Sequence, residues 1–143
     1  MSTKLTKKRV SFLSAAALAL ILAAAFLAPA TFARVTYNTI DSTARISDNG
    51  RQVLVTGPVT CDGGQRYEIR VTVTQRSTGA VAEGRATLTC TGAEQQWEVR
   101  ATAQGAKTFE EGPATAVAMA TTSDPANTDD AHQWLVNITL EGE

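Results

Sequence analysis

The chain has 143 residues, and its 13 Lys and Arg nearly balance its 14 Asp and Glu. Four of the basic residues (Lys4, Lys7, Lys8 and Arg9) lie in the first 33 residues, so the remaining 110 residues carry nine basic against 14 acidic side chains, a formal charge of −5. This balance excludes the basic surface that a nucleic-acid-binding domain needs. A stretch of this length is enough for one domain with a single small core.

The first 33 residues have the layout of a secretory signal peptide. Basic residues precede an apolar run from Val10 to Ala28, and small residues follow before position 34. We expect cleavage after Ala33, or after Ala30, which leaves residues 34–143 as a secreted, extracellular domain. The alternative is an uncleaved membrane anchor, since about 19 apolar residues can just span a bilayer. The domain then lies on the outer face of the membrane.

From residue 34 onward the sequence consists of short runs rich in β-branched residues, separated by Gly, Asn, Asp and Pro. In the clearest run, Arg66–Arg76, apolar residues alternate with polar ones, which is the period of a strand with one buried face. Gln95–Ala103 and Trp134–Glu141 alternate in the same way. Four weaker runs complete a set of seven: Val35–Ile40, Gln52–Cys61, Val81–Cys90 and Pro113–Thr121. Together they predict an all-β antiparallel sandwich without crossover helices.

Two long polar stretches, Gly105–Gly112 and Thr122–Ala131, are predicted to be surface loops. Loops held on a rigid sandwich carry recognition more often than the core does. We therefore take possible binding residues from these stretches: Phe109, Glu110, Asp124, Asp129 and Asp130. Phe109 and Tyr37 are expected to be exposed, whereas the alternation predicts that Trp97 and Trp134 pack in the core. Truncation of Phe109 is then expected to weaken binding with little effect on stability.

Two cysteines, Cys61 and Cys90, each lie at the end of a predicted strand. Two cysteines in a small exported domain predict a disulfide, because no reductant outside the cell keeps the thiols reduced. Val59 shares a strand face with Cys61, and Leu88 shares one with Cys90, so both sulfurs can point into the core. The alternative is a redox-active pair, which the sequence disfavours because the Cys-x-x-Cys spacing is lacking.

The pattern of Cys61–Gly64, Val71–Gln75 and Thr89–Gly92, followed by Trp97 and Trp134, resembles small secreted immunoglobulin-like β-sandwich domains of actinobacterial type without assigned function. In the antibody pattern the tryptophan lies between the cysteines, whereas here it follows both. A looser likeness is to the apoproteins that sequester enediyne chromophores, which are also acidic secreted sandwiches but usually carry two disulfides. These resemblances imply an immunoglobulin-like fold of about seven strands; they imply no site residues.

Several kinds of chemistry find no support in the sequence. His132 is the only histidine, so sites that need two or three imidazoles cannot form within one chain. We expect it to be a surface residue at the start of the last strand, without partners. The pairs Glu110–Glu111 and Asp129–Asp130 are interpreted as solvated loop charges. Ser123–Asp130 offers oxygen ligands for a weak calcium site, but its spacing matches no EF-hand, so we expect neither metal nor cofactor.

Three functions remain open at this point. The favoured one is a non-catalytic extracellular module that binds a protein, a glycan or an envelope component. The second is a small-molecule carrier similar to the chromophore-binding apoproteins, which requires an apolar cleft near Phe109 or Met119. The third is an enzyme with an unrecognised carboxylate site, which requires an acid of raised pKa in a cleft. Neither a nucleic acid nor, after cleavage, a membrane is an expected partner.

Overall fold

The computed structural model describes residues 34–125 and 129–143, and these residues form eight β-strands. The strands are β1 (Val35–Asn38), β2 (Thr43–Ile46), β3 (Gln52–Cys61), β4 (Arg66–Gln75), β5 (Ala80–Thr89), β6 (Glu94–Gln104), β7 (Gly112–Ser123) and β8 (Asp129–Gly142). The all-β prediction is confirmed. The proposed signal segment lies outside the described residues, and within them no helix is long and apolar enough to cross a membrane.

Seven of the strands close into a barrel-like sheet. The order is β3-β2-β8-β7-β4-β5-β6, and β6 pairs back onto β3. All of these pairs are antiparallel except β2 with β8, which is parallel. β1 pairs with the last residues of β3, from Val59 to Cys61, whereas β2 pairs with Val53 and Leu54. β1 and β2 thus pair with the same edge of β3, and only β2 also pairs with β8.

The strands at the two ends of the chain differ from the expectation. The run predicted as one strand, Val35–Ile40, ends at Asn38, and β2 is a separate strand of four residues. The four residues of β2 do alternate between exposed and buried positions, but a run this short is at the lower limit of the pattern that indicates a strand. β8 begins at Asp129, because the β7–β8 ladder continues to the pair Ser123 and Asp129. The prediction of a loop over Thr122–Ala131 is therefore wrong for both ends of that stretch, five of its ten residues.

The inward face of each strand fills the barrel interior. β4 alternates buried and more exposed residues along its whole length, as its sequence predicts. Trp97 of β6 is the largest fully buried side chain. It lies opposite Gly57 of β3, where an added Cβ would come within 2.6 Å of the indole ring, so this position requires glycine. The predicted core position of Trp97 is confirmed, while Trp134 is half-buried and packs against the core.

The predicted disulfide between Cys61 and Cys90 is confirmed. Their Cα atoms lie 5.5 Å apart and both residues are buried. The bridge joins the end of β3 to the residue that follows β5. Next to it, the Cys90 N–H donates to the Gln65 carbonyl and the Gly64 N–H donates to the Cys90 carbonyl, both at 2.8 Å. The covalent bond and these hydrogen bonds hold the same end of the barrel together.

Replacing both cysteines, Cys61→Ser with Cys90→Ser, tests how far the fold depends on this bridge. The disulfide closes a separation of 29 residues. Its loss is expected to lower the free energy of unfolding by about 3–4 kcal/mol, because the unfolded chain regains the entropy of the open loop. Urea titration of the oxidised wild type and the double variant measures this difference. A variant as stable as the oxidised wild type would contradict a structural role.

Candidate binding surface

The outer face of β7 and β8 carries adjacent exposed aliphatic side chains. Met119 is 55% exposed and Leu135 is 62% exposed. Val117 is half-buried and lies directly opposite Leu135 in the β7–β8 ladder. Val117 and Met119 lie two residues apart on the same face of β7. We call Val117, Met119 and Leu135 the apolar strip. Neighbouring exposed aliphatic residues mark interaction surfaces more often than scattered single ones do.

Two arginines flank the apolar strip on the same outer face. Arg70 of β4 lies opposite Met119 on one side and opposite Arg85 of β5 on the other. Like charges directly opposite each other across two strands repel. The ion pairs in the described part of the chain join Arg66 to Glu68 and His132 to Asp130, and none includes Arg70 or Arg85. Neither arginine is in ion-pair contact with a carboxylate, although Glu68 of β4 and Glu83 of β5 share this outer face and Glu83 lines one cavity with both arginines.

A groove of about 710 Å³ continues this outer face toward the turn between β4 and β5. Thr115 and Asn137, which lie opposite each other, form part of its wall and are each two residues from a member of the apolar strip. The remaining wall comes from the end of β4, the following turn, and the starts of β5 and β7: Thr74, Gln75, Arg76, Ser77, Gly79, Ala80, Val81, Pro113 and Ala114. The groove and the apolar strip thus form one continuous surface.

Phe109 does not belong to this surface. It is 3% exposed and forms part of the core, so the prediction that it is an exposed contact is wrong. Its N–H donates to the Gly50 carbonyl at 2.9 Å, and Gly50 has φ 65°. A Cβ on Gly50 would come within 2.6 Å of the Phe109 carbonyl oxygen. Because Gly50 has no side chain, the loop that carries Phe109 can lie against this turn with the Phe109 ring in the core.

Two side chains hold the loop 105–111 from opposite sides. Gln75, which is 1% exposed, accepts a hydrogen bond from the Glu110 N–H at 2.9 Å and donates to the Glu110 carbonyl at 2.8 Å. Arg51 donates to the carbonyls of Gly105 at 2.7 Å and Lys107 at 3.0 Å. The loop is a fixed cover over one end of the barrel. The Glu110 side chain is exposed, whereas its backbone N–H and carbonyl form the hydrogen bonds to Gln75.

His132 has a partner that the sequence analysis did not foresee. Because β8 begins at Asp129, His132 lies within the strand and on the same side as Asp130. Its Nε2 lies 2.9 Å from Asp130 Oδ2. The hydrogen bond from His132 is the main reason that the pKa of Asp130 falls below its usual value. The Asp130 carboxylate also accepts a bond from the Val35 N–H at 3.5 Å, which brings the start of β1 beside β8.

A small seam lies between β1 and this part of β8. The Tyr67 hydroxyl donates to Asn38 Oδ1 at 3.0 Å, and burial raises the pKa of Tyr67. Asn38 Nδ2 and Trp134 Nε1 are buried without a hydrogen-bond partner among the described residues. The cavity at the seam measures about 220 Å³. This volume is below that of ordinary ligand pockets.

The other predicted site residues do not form one site. Asp124 follows β7 and is half-buried, and Asp129 is the first residue of β8. Within the described part of the chain, no three His, Cys, Asp or Glu side chains lie close enough together to hold a metal ion. Residues 126–128 of the calcium-site alternative lie outside the described residues. Tyr37 is 50% exposed, as expected; it lies on β1, outside the apolar strip, and lines the seam together with Gln133 of β8.

Sequence reasoning missed the apolar strip although β7 contained a signal for it. In Pro113–Thr121 the alternate positions Ala114, Ala116, Ala118 and Ala120 are all alanine, and these four face the interior. The larger residues Val117 and Met119 occupy the other face. A strand that is apolar on both faces, with its larger side chains outward, indicates a second contact beyond the core.

No family model and no curated protein matches the chain. Among solved structures, it is similar to the crystal structure of the periplasmic chaperone SfaE, with 10% sequence identity and a TM-score of 0.38. The match covers 77% of this chain and 57% of the chaperone chain, so this chain spans less than two thirds of that protein. A likeness at this level supports no conclusion about function.

The buried position of Phe109 reverses the effect expected for its truncation. Phe109→Ala removes a core ring and is expected to lower the free energy of unfolding by about 3–5 kcal/mol. Tyr37→Ala is the matched control, since it removes a half-exposed ring, and it is expected to cost much less. Urea midpoints of the two variants provide the comparison. A stability loss for Phe109→Ala no greater than that for Tyr37→Ala would contradict the core assignment.

The contact between Asp130 and His132 predicts a pH effect of defined sign. The folded-state pKa of Asp130 lies below its unfolded value. Its stabilising contribution is therefore complete above the unfolded pKa and is lost as the pH falls through the folded pKa. His132→Ala is expected to raise the pKa of Asp130 toward its usual value, as followed by carboxyl carbon NMR. The control Gln133→Ala should leave it unchanged; an unchanged titration in His132→Ala would contradict the interaction.

Proposed function

We propose that this chain is a non-catalytic extracellular binding module whose contact surface is the outer face of β7 and β8. The observation that carries the proposal is the apolar strip, in which Met119 and Leu135 are more than half exposed. Keeping aliphatic side chains in water forgoes the free energy of their burial, about 25 cal/mol per Å². A partner that covers them recovers it.

The apolar strip is held in place before any partner arrives. It lies on strands whose opposite face is the core, where Ala116 and Ala118 are fully buried. β7 pairs with β4 on one side and β8 on the other, so its backbone is fixed along its length. Preorganisation of this kind lowers the entropy cost of binding. The clamped loop 105–111 makes the covered end of the barrel rigid as well.

The side chains of the surface favour a protein partner over a glycan. Val117, Met119 and Leu135 present aliphatic groups, whereas stacking on sugar rings calls for exposed aromatic faces. Neither tryptophan supplies such a face, since Trp97 is buried and Trp134 packs against the core, and the half-exposed Tyr37 is a single ring on β1, outside the apolar strip. Arg70 beside Met119 adds a planar donor group that suits carboxylate and carbonyl oxygens. We therefore propose a protein that presents apolar side chains beside an acidic residue.

The extracellular location and the finer architecture belong to the same proposal. The disulfide supports an oxidising compartment, which agrees with a cleaved signal segment. We regard the barrel as an immunoglobulin-like sandwich of two sheets, β1-β3-β6 and β5-β4-β7-β8. In support, β5 pairs with β4 along its whole length but with β6 only from Val81 to Glu83. The likeness to secreted domains of actinobacterial type is part of this proposal.

The groove favours one second candidate, a small-molecule carrier similar to the chromophore-binding apoproteins. Its volume of about 710 Å³ falls within the range of ligand pockets. Ala80, Val81 and Pro113 supply apolar lining. The groove is open to solvent on the outer face, however, and the barrel interior is occupied by Trp97 and Tyr67. A ligand here would lie on the sheet instead of inside it.

For catalysis, the strongest candidate pair is His132 and Asp130. Thr36, whose hydroxyl is in a residue of the seam wall, donates to the Thr60 carbonyl and not to His132. The pKa of Asp130 is lowered, which suits an ion pair and not a general acid. We therefore assign this pair no catalytic role in the proposed function.

Photo-crosslinking at the apolar strip tests the proposal. A photoreactive residue replaces Leu135 in the full chain expressed with its own N-terminal segment, and the secreted protein is irradiated in culture. We expect a covalent adduct to one protein, which mass spectrometry identifies. In a titration with that protein, Leu135→Ser is expected to bind about 30-fold more weakly, the factor that corresponds to about 2 kcal/mol from a central contact residue.

Leu54 provides the matched control. It is a half-buried leucine on the outer face of β3, opposite Arg100, and so lies outside the candidate surface. The same photoreactive residue at position 54 should give no adduct, and Leu54→Ser should leave the affinity unchanged. Equal adducts at both positions, or equal losses of affinity, would contradict a contact surface on β7 and β8. Binding of a fluorescent apolar dye that Val81→Glu abolishes, without a protein adduct, would favour the carrier.

A further inference from the structure

The three strands around the apolar strip share a stretch without acidic residues. It consists of Arg70–Arg76 at the end of β4, Pro113–Met119 of β7 and Gln133–Thr139 of β8, which lie side by side in the sheet. None of these segments contains Asp or Glu, although residues 34–143 together carry a formal charge of −5. We call the outward side chains of the three segments the acid-free face. Its only charges are positive, opposite in sign to the charge of the whole domain.

Two arginines mark the ends of the acid-free face. Arg70 lies opposite Met119, at one end of the apolar strip. Arg76 directly follows β4 and lines the groove at the other end. Both side chains are exposed, and neither belongs to an ion pair within the described residues. The arginines are six positions apart, which corresponds to about 20 Å along an extended strand.

Acidic residues border the acid-free face but do not lie between its arginines. Glu68 precedes Arg70 on β4 and pairs with Arg66 at 3.7 Å. Glu83 lines a cavity with Arg70, but it lies on β5, and β4 separates it from β7. Glu141 follows the face near the end of β8. The path along β7 from one arginine to the other therefore crosses no carboxylate of this chain.

We propose that the acid-free face binds an extended segment of the partner protein, with two acidic residues six positions apart and aliphatic residues between them. In an extended segment, side chains two positions apart point to the same side, at a spacing of about 6.7 Å, and the outward residues of the sheet have the same spacing. A segment that runs along β7 places one carboxylate at Arg70 and the other at Arg76. Its aliphatic side chains then cover the apolar strip and enter the groove.

The chemistry of both ends supports this occupant. A guanidinium group binds a carboxylate through two parallel hydrogen bonds, and both arginines have donors that no carboxylate of the described residues occupies. Between them, Val117 and Met119 present aliphatic groups along β7. This inference rests on the proposed function, because the apolar strip is the same contact surface. It adds the conformation of the bound segment and the spacing of its charges.

An anionic membrane is the other surface that attracts aliphatic side chains beside arginines. Membrane-binding basic clusters contain about four to eight Lys or Arg, whereas the acid-free face has two. The formal charge of −5 on residues 34–143 also opposes approach to an anionic surface. In addition, a groove of about 710 Å³ suits an inserted side chain better than a flat layer of headgroups. The observations therefore favour a protein segment.

A pair of capped peptides tests the charge requirement without knowledge of the partner. The first probe is Glu-Thr-Leu-Thr-Leu-Thr-Glu, and its matched control has lysine at both ends. Each is titrated into the secreted protein while amide chemical shifts are recorded. We expect the glutamate peptide to bind about tenfold more tightly, a difference of about 1.4 kcal/mol, which two exposed charge pairs can supply. The shifts should fall on residues 114–119 and 133–139.

Neutral substitutions of the arginines identify the source of this preference. Arg70→Gln combined with Arg76→Gln should reduce the tenfold preference to about twofold or less, because the opposing charges are gone. Arg45→Gln is the matched control, since Arg45 is exposed on β2 and lies outside the acid-free face. It should bind both peptides as the wild type does. Equal binding of the two peptides, binding of neither, or a preference that the double variant retains would overturn the proposal.

Two further results separate this proposal from its alternatives. Vesicles of phosphatidylcholine and phosphatidylglycerol in equal parts should not bind the protein; binding that the double variant loses would overturn a protein segment in favour of a membrane. If the crosslinked partner of position 135 binds the double variant as tightly as the wild type, the acidic segment is wrong and the proposed function stands. If no crosslinked partner is found while the glutamate peptide keeps its preference, the proposed function fails instead.

Discussion

The pairing of β3 on both of its edges is the constraint on which the rest of the structure depends. One edge pairs with β6 from Gln52 to Thr60, and the other pairs with both β1 and β2. A sheet closes only where its first and last strands meet, and here they meet at β3. Gly57 makes this possible, because its lack of a side chain lets Trp97 lie against the backbone. The disulfide then joins the last residue of β3 to Cys90, the residue that follows β5.

The division of the first strand has consequences at the opposite side of the barrel. Since β1 stays with β3 and only β2 crosses to β8, closure is complete beside Thr139–Gly142 and incomplete above it. The seam between β1 and β8, beside His132, results from this division. A single continuous strand along β3 would have left β8 without any partner on that side. Closure of the barrel beside Thr139–Gly142 and the seam beside residues 132–134 therefore have the same cause.

The two ends of the molecule are built for stability, and the candidate function lies on a strand face between them. One end has the disulfide, and the other has the loop 105–111, which Gln75 and Arg51 bind through its backbone. Because Gln75 and Arg51 form hydrogen bonds to loop carbonyls, their side chains are not available to recognise a partner. The side chains on the outer face of β7 and β8 are not needed to hold the strands together, because the hydrogen bonds of a sheet run within its plane.

The sequence by itself determined the strand content, the disulfide and the inward position of Trp97, because alternation and cysteine parity are local properties. It did not determine the position of Phe109, since the approach of Gly50 that buries the ring joins residues far apart in the chain. The contact between His132 and Asp130 depended on where β8 begins, which the β7–β8 ladder decides. The apolar strip likewise arises only when β7 and β8 are paired. Alternation identifies the two faces of a strand, and only tertiary pairing decides which of them remains exposed to water.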